Sequence, residues 1–362
     1  MRIRTYSKLL VLTLTLLLVL SSIQSPVSAQ SEELDTVVVM YDASHNPQFE
    51  VDDEGFQLML DMVNESTRYI VRVNEDPLND TILNGVDVLI IASPDDSVAF
   101  ETEEILAIDE MMTNGSSLMV LGDPVIDQNN TIYWNDQPFR DIGDNKVING
   151  FLNQLNITGV RFSLNTTDDI IYGDSMFDYE HALNATATPY IIQLDPSTWD
   201  SAHPIFKDIN SLLTMAATLK PTNAASIIAH SYETTFAQFR RGPNNFGNLT
   251  YPNMTLAEFA EHPNSYSSIN GTFPSWMSAF EYDGSRVIIS GSAIMFTGMT
   301  LPLEDSEDLW FYQADNSRLF MNMLSWLTEG FVDSPDAIVP MAIISSVILI
   351  IGVAVYLFKK IK

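Results

Sequence analysis

Four short apolar runs, each set off by a stretch with helical spacing, constrain this chain more than any other feature. They are "TVVVMY" (36–41), "YIVRV" (69–73), "DVLIIASP" (87–94) and "SLMVLGDP" (117–124). All four read as strands, and the continuous apolar run "TVVVMY" is the sort buried on both faces. Between the first two, Phe56, Met59, Leu60 and Val63 recur at helical spacing, and Asp52 or Asp53 is expected to cap that helix. Between the third and fourth, Thr102 is expected to cap "EEILAIDEMMTNG". Glu103 and Glu104 favour its positive end, Ile105, Ile108, Met111 and Met112 form its apolar face, and Gly115 stops it. Strands alternating with helices predict an α/β domain with a mostly parallel sheet and right-handed crossovers.

The pattern loosens over residues 124–270, where a helix is expected at 146–155 and short strands at 190–194 and 225–230. It returns with "SRVIISGS" (285–292) and "NSRLFMNMLSWLTEG" (316–330). A strand and a helix arriving this late are expected to complete the first sheet. The reading is therefore one α/β domain over 30–336 with an elaborated middle, not two independent domains.

The two ends carry different signals. Arg2, Arg4 and Lys8 precede an apolar stretch at 9–20 and "SPVSA", which reads as a signal peptide ending at Ala29. Residues 337–358 hold no charge, and Lys359, Lys360 and Lys362 follow. That pattern predicts a transmembrane helix with a cytoplasmic tail at 359–362, and so a single-pass membrane protein whose domain lies outside the cytoplasm. All 47 acidic residues lie between the ends, and the net charge of −30 excludes nucleic acid as a partner by repulsion. There is no cysteine, hence no disulfide, thiolate nucleophile or cysteine-held metal. Asn-x-Ser/Thr triplets at Asn64, Asn79, Asn114, Asn129, Asn156, Asn165, Asn184, Asn248, Asn253 and Asn270 are glycosylation acceptor patterns and suggest an acidic, archaeal-type surface glycoprotein.

The order of "VVVMYDASHNPQF", "LNGVDVLIIASPDDSVAFETEEILAIDEMMTNGSSLMVLGDP", "HPIFKDI" (203–209), "SRVIISGS" and "DNSRLFMNMLSWL" resembles the GIFT group, a branch of the flavodoxin-like, class I glutamine-amidotransferase-like fold. That group includes GldG-like proteins that work beside ABC transporters and the DDOST-like subunit of oligosaccharyltransferase. The resemblance implies a non-catalytic accessory role beside a membrane complex, either an ABC transporter or an oligosaccharyltransferase. The further β-rich domain of the DDOST-like subunit has no room here, because Trp326 stands about ten residues before 337. Amidotransferase members of the fold need a cysteine nucleophile, which this chain lacks.

Strand carboxyl ends line the ligand crevice of open parallel sheets. The expected crevice comprises Asp42, Ser44, His45, Gln48 and Phe49 after the first strand, Ser93 and Pro94 after the third, and Asp123 after the fourth. It reads as a binding site for a polar ligand or a partner loop. The plainer reading has Asp42 capping the loop and His45 bonding a neighbouring turn. A hydrolase using Asp42 and His45 would have only water to activate. Asp168, Asp169, Asp174, Asp178 and Glu180, beside His181, could hold calcium through oxygen ligands, but their spacing matches no EF-hand loop. His203, His230 and His262 stand alone, no zinc spacing occurs, and no Gly-rich loop invites a nucleotide.

Overall fold

The computed structural model describes residues 36–95, 97–124, 145–167, 170–185, 188–221, 226–239, 245–246, 249–250, 274–303 and 306–329. Its main sheet has nine strands: β1 (Val37–Asp42), β2 (Tyr69–Asn74), β3 (Val88–Ala92), β4 (Ser117–Leu121), β5 (Val160–Phe162), β6 (Leu219–Pro221), β7 (Ile227–His230), β8 (Ser275–Tyr282) and β9 (Ser285–Ser290). The order is β2-β1-β3-β4-β9-β8-β6-β5, with β7 also paired to β8. The first five strands of that order are mutually parallel. As expected, the late strand β9 joins the early sheet, with Val287 to Ser290 in register with Leu118 to Leu121. Beyond β9 the pairing turns antiparallel, so the sheet is a parallel half with an antiparallel extension.

The central strands β1, β3, β4 and β9 are buried on both faces, and their side chains alternate between two cores. Val39, Tyr41, Val88, Ile90, Met119, Leu121 and Ile288 enter one; Met40, Leu89, Ile91, Leu118, Val120, Val287 and Ile289 enter the other. Helices α1 (Gln57–Glu65) and α5 (Asn316–Leu327) cover the first face, through Met59, Leu60 and Val63, and through Leu319, Phe320, Met323 and Leu324. The four-residue α2 (Asp80–Leu83), α3 (Thr102–Thr113) and α4 (Asn145–Gln154) cover the second.

Two helix starts differ from expectation. Asp52 does not cap α1; its Oδ1 accepts from Gly55 N–H at 2.7 Å in a preceding turn, and Phe56 stands at the cap position. Helix α3 starts one residue earlier than read, in a capping box between Glu101 and Glu104.

The expected transmembrane helix, and with it the single-pass placement of the domain, is corrected. Among the described residues no helix is long and apolar enough to cross a membrane. The longest, α3 and α5, have 12 residues each. That length spans about 18 Å, against roughly 30 Å of hydrocarbon. Residues 1–29, 337–358 and 359–362 lie outside the described residues.

Gly291, just past β9, donates its N–H to Trp276 O at 2.7 Å and accepts Ala217 N–H at 2.8 Å. A Cβ there would overlap the Ala217 carbonyl. Gly291→Ala is expected to lower unfolding stability by roughly 1–3 kcal/mol in urea titration, whereas Gly150→Ala, which meets open space, is expected to leave it unchanged or raise it.

Candidate functional site

Strand order places β2 and β3 on opposite sides of β1, so the topology switches between β1 and β3. Ligand crevices of such sheets form at that point, outside the strand carboxyl ends. Asp42 is the last residue of β1, Ser93 follows β3, and Gly122-Asp123 follows β4. The predicted crevice residues therefore follow these strand ends, and Asp42, Ser44 and His45 form one largely buried cluster while Ser93 and Asp123 belong to another.

The first is built on the turn after β1. Asp42 Oδ1 accepts Ser44 N–H at 3.2 Å and Ser44 Oγ at 2.6 Å, so the aspartate does close its own loop. Its Oδ2 lies 2.6 Å from His45 Nδ1, and Asn74 Nδ2 reaches Oδ1 at 3.4 Å. His45 Nε2 faces Glu104 Oε2 at 3.4 Å. Glu104 is itself fixed by Leu78 N–H on Oε1 and Glu101 N–H on Oε2, each at 2.8 Å. Phe100 stacks on the imidazole with ring centres 3.8 Å apart. Asp42 and His45 are each 2 % exposed and Glu104 is 5 % exposed. Burial alone would lower the basicity of His45, but the bond to Asp42 and the charges of Asp42 and Glu104 outweigh it and hold its pKa above the ordinary value.

The second cluster bridges three strand ends. Ser93 Oγ donates to Asp123 Oδ2, and the N–H groups of Ala293 and Ile294 donate to Oδ1 at 3.1 Å each. Asn145 grips the same residue's backbone, donating to Asp123 O at 2.7 Å. Gly122 leaves room for that side chain, since a Cβ there would sit 2.5 Å from Asn145 Oδ1. Ser93 holds a left-handed backbone, φ 41°, uncommon away from glycine. Complete burial raises the Asp123 pKa to about 6, against the lowering effect of its hydrogen bonds.

The remaining predicted residues make contacts within the fold. Gln48 N–H donates to Ser93 O at 2.9 Å, tying the two loops together. Phe49 is 1 % exposed in the core and its carbonyl accepts Tyr41 OH at 2.8 Å. Pro94 is buried. The open cleft, about 310 Å³ and lined by Asp80, Leu83, Asp87, Glu110 and Asn114 among others, lies elsewhere, around the amino ends of β3 and β4. Sequence reading gave Glu104 only a helix-end role; it pairs with His45 across 59 residues. The spacing Glu101-x-x-Glu104 signals a capping box, but nothing local signals the histidine.

In a serine–histidine–acid relay the hydroxyl and the carboxylate occupy opposite ring nitrogens. Here Ser44 Oγ and Asp42 Oδ2 both face Nδ1, at 3.0 and 2.6 Å, and a carboxylate occupies the Nε2 side. The arrangement therefore differs from that relay at both ring nitrogens.

Two further acids of the middle segment are likewise saturated by protein donors. Asp174 accepts Thr218 N–H and Oγ1 at 2.8 and 2.6 Å. Asp178 accepts Glu180 and His181 N–H and the hydroxyls of Thr234 and Thr235. Among the described residues no three histidine or acidic side chains converge on a metal position. Asp168, Asp169 and His262 lie outside them. Asn64, Asn79, Asn114, Asn156 and Asn184 are exposed, while Asn129, Asn248, Asn253 and Asn270 lie outside the described residues.

Residues 28–323 match the family described as "ABC-type uncharacterized transport system". The chain belongs to that family. No curated protein matches it. Among solved structures, the mmIFT52 N-terminal domain is 13% identical with a TM-score of 0.50, over 82% of this chain and 99% of that one. At that identity the likeness shows a shared fold. Putative ThuA-like proteins from Parabacteroides merdae and Bacteroides uniformis also match. They are 8% and 12% identical, with TM-scores of 0.39 and 0.37, over 82% of this chain and 91% and 92% of theirs.

Both raised groups bind protons more tightly folded than unfolded, so each stabilises at low pH and loses that contribution as pH rises through its folded value. For Asp123 the window runs from about pH 4 to 6; for His45 it lies above about 6.5. Urea titrations at stepped pH are expected to show a fall of a few kcal/mol across the first window. Asp123→Asn is expected to flatten that fall and leave the second one in place.

Proposed function

We propose that this domain is a non-catalytic accessory subunit of an ABC-type transport system, of the GldG-like kind within the GIFT group. The observation that carries this reading is the family match over residues 28–323. It favours an ABC-type partner; the oligosaccharyltransferase alternative draws nothing from it. The non-catalytic part is supported by chemistry. The chain has no cysteine to act as the amidotransferase nucleophile. Its one histidine at the crevice is closed off by Asp42, Glu104 and Phe100. A base enclosed in this way is not within reach of a substrate proton. The clusters instead rigidify the loops at the carboxyl end of the sheet, which suits a docking surface.

Crosslinking in native cells followed by purification of the full chain is expected to recover subunits of an ABC-type transporter. Recovery of the chain alone, in repeated preparations, would count against the proposal. A hydrolase screen is expected to give no turnover; turnover abolished by His45→Ala would replace this reading with an enzymatic one.

A further inference from the structure

Among the described residues strand β2 ends the sheet, with β1 on its inner side. Val37 N–H donates to Arg68 O at 2.9 Å, and Ala43 N–H donates to Asn74 O at 2.7 Å. With the β1–β2 register continuous from Val37↔Tyr69 to Asp42↔Asn74, the even-numbered residues of β2 turn their backbone groups toward β1. Successive residues of a strand alternate in this respect. Val71 and Val73 therefore turn both N–H and C=O outward, and Tyr69 turns its C=O outward. Beside this open edge Ile70 is 47% and Val73 43% exposed. An edge with unsatisfied backbone groups and apolar side chains is a template for another strand.

The sequence of β2 fits its own copy. A two-fold axis perpendicular to the sheet must pair residues of like parity, because opposite residues share a face. Centred on Val71, that operation sets Val71 against Val71, Tyr69 against Val73 and Ile70 against Arg72 of the second copy. Val71, Tyr69 and Val73 then form one apolar face, and the Arg72 stem lies over Ile70. Charge follows the same symmetry. Arg68 stands just before the strand and Glu75 and Asp76 just after it. Antiparallel pairing lays the basic end of one copy beside the acidic end of the other, twice over. Val71 is then a hydrogen-bonded pair, as its outward N–H and C=O require.

We propose that the outer edge of β2 is a homodimer interface, in which a second copy continues the sheet antiparallel about Val71. This inference is independent of the transport reading. The cysteine-free sequence makes the test clean. Hydrogen-bonded antiparallel pairs stand about 5.5 Å apart at Cα, within the range a disulfide spans. Under mild oxidation, full-length Val71→Cys is expected to form a covalent dimer about tenfold faster than Leu106→Cys, since pairing raises the effective thiol concentration. Leu106 is 63% exposed on α3, far in sequence from this edge. Sedimentation equilibrium of the parent chain is expected to show mass doubling with concentration. Val73→Asp is expected to abolish the doubling while its thermal unfolding stays like the parent's. Equal crosslinking of the two cysteine variants, monomer mass at every concentration, or doubling that survives in Val73→Asp would each overturn the interface.

Discussion

Burial of the central strands on both faces is the constraint from which the rest follows. A parallel sheet needs crossover segments, and these place helices over each side. Polar groups are then pushed to the strand ends, where loops turn back toward the helices. In this chain those ends are closed as well. Asp42, His45, Glu104 and Asp123 are all nearly inaccessible, and a buried charge without partners is far too costly to persist. Asp123 ties the loops after β3, β4 and β9 together, and backbone bonds such as Gln48 N–H to Ser93 O join the loop after β1 to the loop after β3.

The two clusters solve that problem differently. Around His45, an imidazole made more basic by its neighbours stands between Asp42 and Glu104, and its protonated form offsets the burial of both carboxylates. Around Asp123, among the described residues, no cation stands against the carboxylate. Three donors, one hydroxyl and two backbone N–H groups, hold the carboxylate, and burial still leaves it reluctant to ionise. Both arrangements lock loops in place. Both lie away from the cleft lined by Asp80, Asp87 and Glu110.

Much of the fold was legible because it is written in local periodicity. The runs at 36–41, 87–94 and 117–124 are strands as read, and Leu319, Phe320, Met323, Leu324 and Leu327 face the core as their spacing implied. Helix starts were read less well. Asp52 and Thr102 are both good caps by type, but the chain used Asp52 in a turn and a Glu101–Glu104 box instead, since cap choice depends on the approach of the preceding loop. The expected membrane helix rested on an uncharged run of sufficient length and the lysines after it, and the described helices reach only 12 residues.

The sequence by itself determined the order of β1 to β4 and β9 and of α1, α3, α4 and α5, the absence of thiol chemistry and the presence of an acid and a histidine at the end of β1, but not β5, β6, β8 or α2. Tertiary structure alone decided what those two residues do. Glu104 and Phe100 come to His45 from more than fifty residues away, and Ala293 and Ile294 come to Asp123 from about 170. Periodicity records which side of an element faces the core, whereas the partner waiting there is fixed only when distant elements pack.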